Sequence, residues 1–220
     1  MDLGYKASDL LQANAIVWVE GPSDRIYLKH WIRSLDEEIV ESIHYSIMFY
    51  GGRLLSHLSG DDIEPDEEVE QFINLVALNR NSAIVIDSDR SSASDTLNQT
   101  KSRIIEEFSR SRGLAWITAG REIENYIPYQ TLQNAVKQVH SRVYGTHHKN
   151  GPFGHALYFK RTGSDGQPSN TIVQVVDKVR VAQRVCEAAA DLSSLDLRDR
   201  IVELVSFIRK ANGLEVEVSS

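Results

Sequence analysis

The sequence predicts an α/β fold: a parallel sheet flanked by helices, with a helical insertion or subdomain. Two observations carry that prediction. Short, continuous apolar runs alternate with stretches of helical periodicity, the pattern of strands covered on both faces of a parallel sheet. Three of the four runs lead into carboxylates within four residues, and ligands of such sheets bind outside the carboxyl ends of the strands.

The elements follow in order. Ala15-Ile16-Val17-Trp18-Val19 is the first strand and ends at Glu20-Gly21-Pro22-Ser23. A helix comes next, with Tyr27, Leu28, Trp31, Ile32 and Leu35 on its apolar side and Ser23 placed to cap it. Ile43 to Tyr50 reads as the second strand, ending at Gly51-Gly52, with a helical stretch from Arg53. Glycines there let backbone approach a ligand. Ser82 to Ile86 is the third strand, running into Asp87-Ser88-Asp89, and Thr96 to Arg112 is its helix. Leu114 to Thr118 is the fourth, running into Gly120-Arg121-Glu122-Ile123-Glu124-Asn125.

Beyond Asn125 the pattern changes. Pro128 to Tyr144 reads as a helix, and Gly145 to Gly166 as a loop rich in Gly, Pro and His. After Pro168-Ser169-Asn170 a helix is expected, with Ile172, Val175, Val176, Val179, Ala182 and Val185 on one side. Its β-branched content weakens its first turns. Leu195 to Lys210 reads as the last helix and the tail from Gly213 as loose.

Composition narrows the class. Hydrophobic residues make up 41% and charged residues 25% of 220 positions, as in an ordinary globular domain. No apolar run approaches the roughly 18 residues of a membrane span, and the start lacks signal-peptide character, so a cytoplasmic protein is expected. A single cysteine, Cys186, excludes an internal disulfide framework and a CxxC zinc site; it falls on an apolar helix face. The net charge of −7 alone argues against a nucleic-acid binder. Its distribution argues otherwise. Asp61 to Glu70 holds seven acids, read as a solvated loop, whereas Asn125 to Ser164 holds none. That second stretch carries Lys137, Arg142, Lys149, Lys160 and Arg161 among Tyr126, Tyr129, Tyr144, Phe153, Tyr158 and Phe159. Basic groups interleaved with aromatics suit nucleic acid; a helical subdomain that merely lacks acids is the plainer reading.

The carboxylates carry the chemistry. Glu20 with Asp24, Asp87 with Asp89, and Glu122 with Glu124 each follow a strand. Such a cluster repels itself unless cations sit in it. All-oxygen ligands suit Mg²⁺ or Mn²⁺, with Ca²⁺ as a non-catalytic substitute. Two such ions stabilise the attacking and leaving oxygens of a phosphodiester displacement. Alternation along a continuing strand would point Asp87 and Asp89 the same way, and the turn after Glu20 would return Asp24 beside it. Taken singly, each motif is as easily a helix cap or a solvated loop. Lys178 is either an exposed helical lysine or a stabiliser of transition-state charge. Ser23, Ser88, Ser91 and Ser92 are placed for phosphate or for plain turn chemistry. His147, His148 and His155 lack an accompanying acid and read as surface loop.

These residues carry a resemblance. Val17-Trp18-Val19-Glu20-Gly21-Pro22-Ser23-Asp24 looks like the glutamate motif opening a Toprim domain, in the VEGxSD form of OLD-family (overcoming lysogenization defect) nucleases. Ile84-Val85-Ile86-Asp87-Ser88-Asp89 resembles the Toprim DxD motif, and Gly120 to Ile127 the family's REIENY segment. Lys178 looks like the lysine near the end of that region, with Lys160 as a competitor. The resemblance spans roughly residues 14–190. It implies a Toprim core over 14–127, a helical, basic insertion over 128–170, and helices over 171–212 completing one catalytic module. It implies an endonuclease or nickase cutting DNA with two divalent cations. Catalysis would rest with Glu20, Asp24, Asp87, Asp89, Glu122 and Lys178, and the metals with those carboxylates plus Glu124. Lys137, Arg142, Lys149, Lys160 and Arg161 would meet DNA. OLD proteins also carry an N-terminal ABC-type ATPase. No GxxxxGK[ST] loop occurs here, so an isolated C-terminal region without ATP hydrolysis is expected. Two other readings stay open: a silent Toprim scaffold that binds DNA or partners, and a phosphorylation-dependent receiver-like switch. A receiver needs one acceptor Asp rather than a DxD and a Glu pair. A DxD phosphatase would carry its motif after the first strand.

Overall fold

The computed structural model describes residues 13–50, 81–111, 113–148 and 151–215. The helical stretch expected from Arg53 and the acidic run Asp61 to Glu70 lie outside them. The chain forms two compact units: Met1–Ile86 with Thr96–Ile117 and Arg198–Ser220, and Asp87–Asp95 with Thr118–Leu197. Among the described residues no helix is long and apolar enough to cross a membrane.

The first unit is a four-stranded parallel sheet flanked by helices. Its strands are β1 (Ala15–Val19), β2 (Tyr45–Phe49), β3 (Ser82–Ile86) and β4 (Leu114–Ile117), in the order β2-β1-β3-β4. Val17 stands opposite Ile47 on one side and Ala83 on the other, and Ile84 opposite Ala115. Every residue of the central strands β1 and β3 is buried, which is why both read as unbroken apolar runs. The outer strands keep partly exposed positions. Because all pairings are parallel, the four strand ends share one edge.

One face of the sheet is legible from alternation. Ile16 and Trp18 of β1, Met48 of β2, and Ile84 and Ile86 of β3 cluster with Ile104 and Phe108. The last two belong to α2 (Gln99–Arg110), where spacing of four puts them on one side. Asn98 caps α2 by accepting from the Lys101 N–H at 2.8 Å, so the helix begins three residues later than its periodicity suggests. Helix α1 (Pro22–Leu35) buries Tyr27, Leu28, Trp31 and Ile32, with the Tyr27 and Trp31 rings stacked at 5.5 Å. Its N-cap is Gly21 rather than Ser23. Asp24 Oδ2 accepts the Gly21 N–H at 3.0 Å, and the Ser23 hydroxyl donates to Asp24 Oδ1 instead of accepting an N–H of the helix end. Helix α5 (Leu197–Ala211), the last in the chain among the described residues, buries Leu197, Ile201, Leu204 and Ile208. It starts two residues later than expected, because Leu195 holds a left-handed φ of 52° that no α-helix admits. Arg209 Nη1 lies 2.6 Å from Asp36 Oδ2, tying α5 to the end of α1.

The second unit departs from the sequence reading. A 3₁₀ turn (Ile123–Tyr126) leads into α3 (Tyr129–Val139), which stops five residues short of Tyr144. There the Val143 and Tyr144 N–H groups turn back to His140 O. The expected loop contains two strands, β5 (Tyr144–His147) and β6 (Phe159–Thr162), and the next expected helical turns are a third, β7 (Pro168–Val173). They form an antiparallel sheet in the order β5-β6-β7. Gly166, with φ of 77°, and the Gly163 N–H to Gln167 O bond close the β6–β7 turn. Thr171, Ile172 and Val173 are β-branched and prefer the strand. Helix α4 (Lys178–Val185) begins only where Asp177 caps it, accepting from the Arg180 N–H at 3.0 Å. It buries Val181, Ala182 and Val185 and packs on α3. Cys186 follows it and is half-buried rather than core. On the small sheet, buried Phe159 meets the Tyr144 and His140 rings at 5.1 and 5.4 Å. The buried Gln133 amide accepts from Tyr144 Oη and donates to Ala156 O.

The parallel sheet's core sets the first prediction. Phe108→Ala empties the centre of the α2 face and lowers unfolding free energy by about 3–5 kcal/mol in urea titrations. A loss below about 1 kcal/mol would mean that α2 does not cover that face.

Candidate metal centre

Six carboxylates follow the strand ends, and each is held differently. Glu20 and Asp24 belong to the parallel-sheet unit. Glu20 is half-buried directly after β1. Asp24 is buried in the first turn of α1, with its oxygens on the Gly21 N–H and the Ser23 hydroxyl.

Asp87, Asp89, Glu122, Glu124 and Lys178 all belong to the second unit. β3 ends at Ile86, and Asp89 takes a left-handed φ of 56°. Strand alternation therefore does not orient Asp87 and Asp89, contrary to expectation. The Asp87-Ser88-Asp89 segment is clamped by hydrogen bonds instead. Ser88 is buried; its N–H donates to Thr118 Oγ1 at 2.9 Å and its hydroxyl to Gly120 O at 2.6 Å. The Asp89 N–H donates to Arg121 O at 2.9 Å. Asp87 Oδ1 accepts the Ile123 N–H at 2.8 Å, setting a negative charge on the free N–H groups at the start of the 3₁₀ turn.

That turn is tightly determined. The Glu122 N–H donates to Asn125 Oδ1 at 2.8 Å, and Asn125 Nδ2 donates to Gly154 O at 3.1 Å. A Cβ on Gly120 would lie 2.6 Å from Asn125 Cβ and 2.8 Å from Pro152 O, so only glycine lets these strands of chain approach. Tyr126 Oη accepts the Ala119 N–H and donates to Asp196 Oδ1 at 2.7 Å.

The turn presents Glu122 and Glu124 to one cation. Lys178 Nζ lies 3.6 Å from Glu124 Oε1 and 3.9 Å from Glu122 Oε2. Glu122 Oε1 is fixed by the Ala156 N–H at 2.7 Å. Glu124 is 0% exposed and neither of its oxygens accepts a hydrogen bond. Burial, then the Glu124 charge, raises the Glu122 carboxyl to about 7, against the opposing pull of Lys178, the Ala156 N–H and Arg121. One fully buried carboxylate, Glu124, and one partly buried, Glu122, thus share one half-exposed ammonium. A second cation would relieve the remaining repulsion and occupy the bare Glu124 oxygens, so the donor set fits a hard divalent ion. Among the described residues, no three His, Cys, Asp or Glu side chains are gathered as a metal-holding group.

Two residues at this centre escape the sequence reading. His155, taken there as surface loop, is half-buried and stacked on Tyr158 at 4.2 Å. Burial, then the Arg121 charge, lowers its pKa, with Asp89 opposing and Lys178 adding to the fall. His155 therefore sits in the field of the same charges. Arg121 donates to Arg90 O at 3.3 Å. Neither has a distinguishing sequence pattern. Ser91 and Ser92 spend their hydroxyls on Asp95, as turn chemistry predicts. Of the basic residues, Lys137, Arg142 and Arg161 are exposed and Lys160 is half-buried on β6. Lys149 lies outside the described residues. Lys178, not Lys160, is the lysine at the glutamate pair.

Comparison with protein-family models, with curated proteins and with solved structures finds no match to this chain.

The glutamate pair makes a pH prediction for the metal-free chain. Glu122 holds its proton more tightly folded (about 7) than at its ordinary value of 4.5. Stability then falls as pH rises between those values and levels above them, by on the order of 2 kcal/mol. Urea midpoints in EDTA should show this fall, and Glu122→Gln should flatten it. An unchanged slope in Glu122→Gln would place the titration elsewhere.

Proposed function

We propose that this chain is a Toprim-type, metal-dependent endonuclease module that hydrolyses DNA phosphodiester bonds. The observation that carries the reading is the pair of partly buried Glu122 and fully buried Glu124 sharing Lys178, on a turn whose Ile123 N–H Asp87 accepts directly after β3. Buried like charges are costly and persist where a ligand uses them. The sequence adds Glu20 and Asp24 after β1, and the resemblance to OLD nucleases is the ground for assigning them to the same ions.

In this proposal the ligands are Glu20, Asp24, Asp87, Asp89, Glu122 and Glu124, binding Mg²⁺ or Mn²⁺. The chemistry that such ions supply is stabilisation of the attacking and leaving oxygens. The chain's own part is positional. Ile123 N–H holds Asp87, and Ala156 N–H holds Glu122. Lys178, half-exposed, brings a positive charge to the phosphate as charge develops on it. Lys137, Arg142, Lys149, Lys160 and Arg161 would take the DNA backbone. The same proposal includes a cytoplasmic setting and an ABC-type ATPase region as partner.

A silent DNA-binding or interaction scaffold is the second reading, and one observation favours it: Lys178 already neutralises one of the two glutamates. Supercoiled plasmid separates the two. The nuclease nicks or linearises it with Mg²⁺ or Mn²⁺ and not in EDTA. Asp87→Ala and Lys178→Ala each slow that cleavage by roughly 10²–10³-fold. No cleavage by folded protein with either ion leaves the scaffold.

A further inference from the structure

The second unit contains a cleft of about 300 Å³ beside the glutamate pair. Its walls are mixed, with Ile127, Leu132, Pro152 and Leu195 on the apolar side and Glu124, Asn125, Tyr129 and Ser194 among the polar residues. Two of its lining residues carry buried oxygens without a hydrogen-bond partner, although Glu124 Oε1 has the Lys178 ammonium at 3.6 Å. Glu124 is fully buried with no hydrogen bond to either oxygen, and Tyr129 keeps a buried hydroxyl without a hydrogen-bond partner. Buried polar groups are ordinarily paired, so such exceptions mark a place where a ligand completes the set.

The lining restricts that ligand. The volume is at the lower end of small-molecule sites, with room for one planar heterocycle rather than an extended molecule. The apolar part of the walls suits two flat faces. A carboxylate at the edge asks for an N–H donor, and a phenol can give or accept. A nucleobase has that combination: apolar faces with N–H donors and acceptors around its rim. Glu124 belongs to both the cleft and the Lys178 cluster, so a base seated here would lie next to a phosphate at the carboxylates. The surrounding stretch Asn125 to Ser164, free of Asp and Glu, does not repel a polyanion.

We propose that this cleft holds one unstacked nucleobase of the DNA strand adjacent to the phosphodiester being cut. The inference rests on the nuclease reading and adds a substrate form to it: single-stranded, frayed or extrahelical nucleotides. A base in duplex is stacked and cannot enter such a cleft without being turned out.

The probe is a short single-stranded oligodeoxynucleotide with one 2-aminopurine, mixed with the full chain in EDTA so that nothing is cut. Dye anisotropy reports binding, and 2-aminopurine emission reports unstacking. Bound wild-type protein should raise the emission several-fold. Leu195→Phe narrows the cleft at a half-exposed position where folding is not at stake, and it should abolish the rise while anisotropy still shows binding. Tyr129→Phe keeps the ring and should weaken binding roughly three- to tenfold. Binding without an emission rise, a rise unchanged in Leu195→Phe, or no binding of the strand overturns the proposal. Plasmid cleavage with Mn²⁺ separates its failure from that of the nuclease reading. Cleavage without the emission rise sinks the cleft alone. The rise without cleavage keeps a base-binding cleft and sinks the nuclease.

Discussion

A carboxylate taken out of water has to be compensated, and in this chain that constraint falls on Glu122 and Glu124 together. Among the described residues, one ammonium, Lys178, is shared between them. Desolvating two anions against one cation is unfavourable by itself, so the surroundings must hold the arrangement in place. They do so from several sides. Gly120 lets Pro152 and Asn125 close on the backbone. Asn125 binds Glu122 N–H on one side and Gly154 O on the other. Tyr126 reaches Asp196, and Ala156 fixes Glu122. Removing any of these loosens the pair before it touches the charges themselves.

The second unit serves the same constraint. Lys178 is the first residue of α4, and its place depends on where that helix begins. Asp177 caps it and donates its own N–H to His140 Nε2 at 3.3 Å. The packing of α4 on α3, and of α3 on the small sheet through Gln133 and Tyr144, sets the lysine's approach. In the parallel-sheet unit the central strands are buried throughout, and Asp87 follows the last residue of β3 in the chain.

What was legible in the sequence follows from this division. Ala15–Val19 and Ser82–Ile86 announce themselves because strands buried on both faces need unbroken apolar runs. Helix starts were less legible, since a cap can lie inside the periodic stretch, as Asn98 and Gly21 show. The antiparallel strands β5 to β7 were hidden because polar and charged residues such as Lys160, Arg161, Ser169 and Asn170 break the alternation on both faces, and of their residues only Phe159 is buried deeply. The Gly163–Gly166 turn was a readable hairpin signal, yet Pro168 beside it suggested a helix start; in β7 it occupies the first position of a strand at the sheet's edge, where no N–H is needed. At the site, residue types and their spacing were legible, but their contacts were not. Nothing in the Asp87-Ser88-Asp89 motif indicates that Asp89 is left-handed or that Asp87 caps a turn 36 residues later. His155 could not be found at all, because its neighbours come from Arg121, Asp89 and Lys178, all distant in sequence.

The proposed role of the Glu122–Glu124 pair is to hold a divalent cation, and calorimetric titration of the metal-free chain with Mn²⁺ tests it most directly. Saturable binding is predicted, weakened at least about tenfold in Glu122→Gln and in Glu124→Gln while both variants stay folded. Binding of equal strength in wild type and both variants, or none in the wild type, would contradict it.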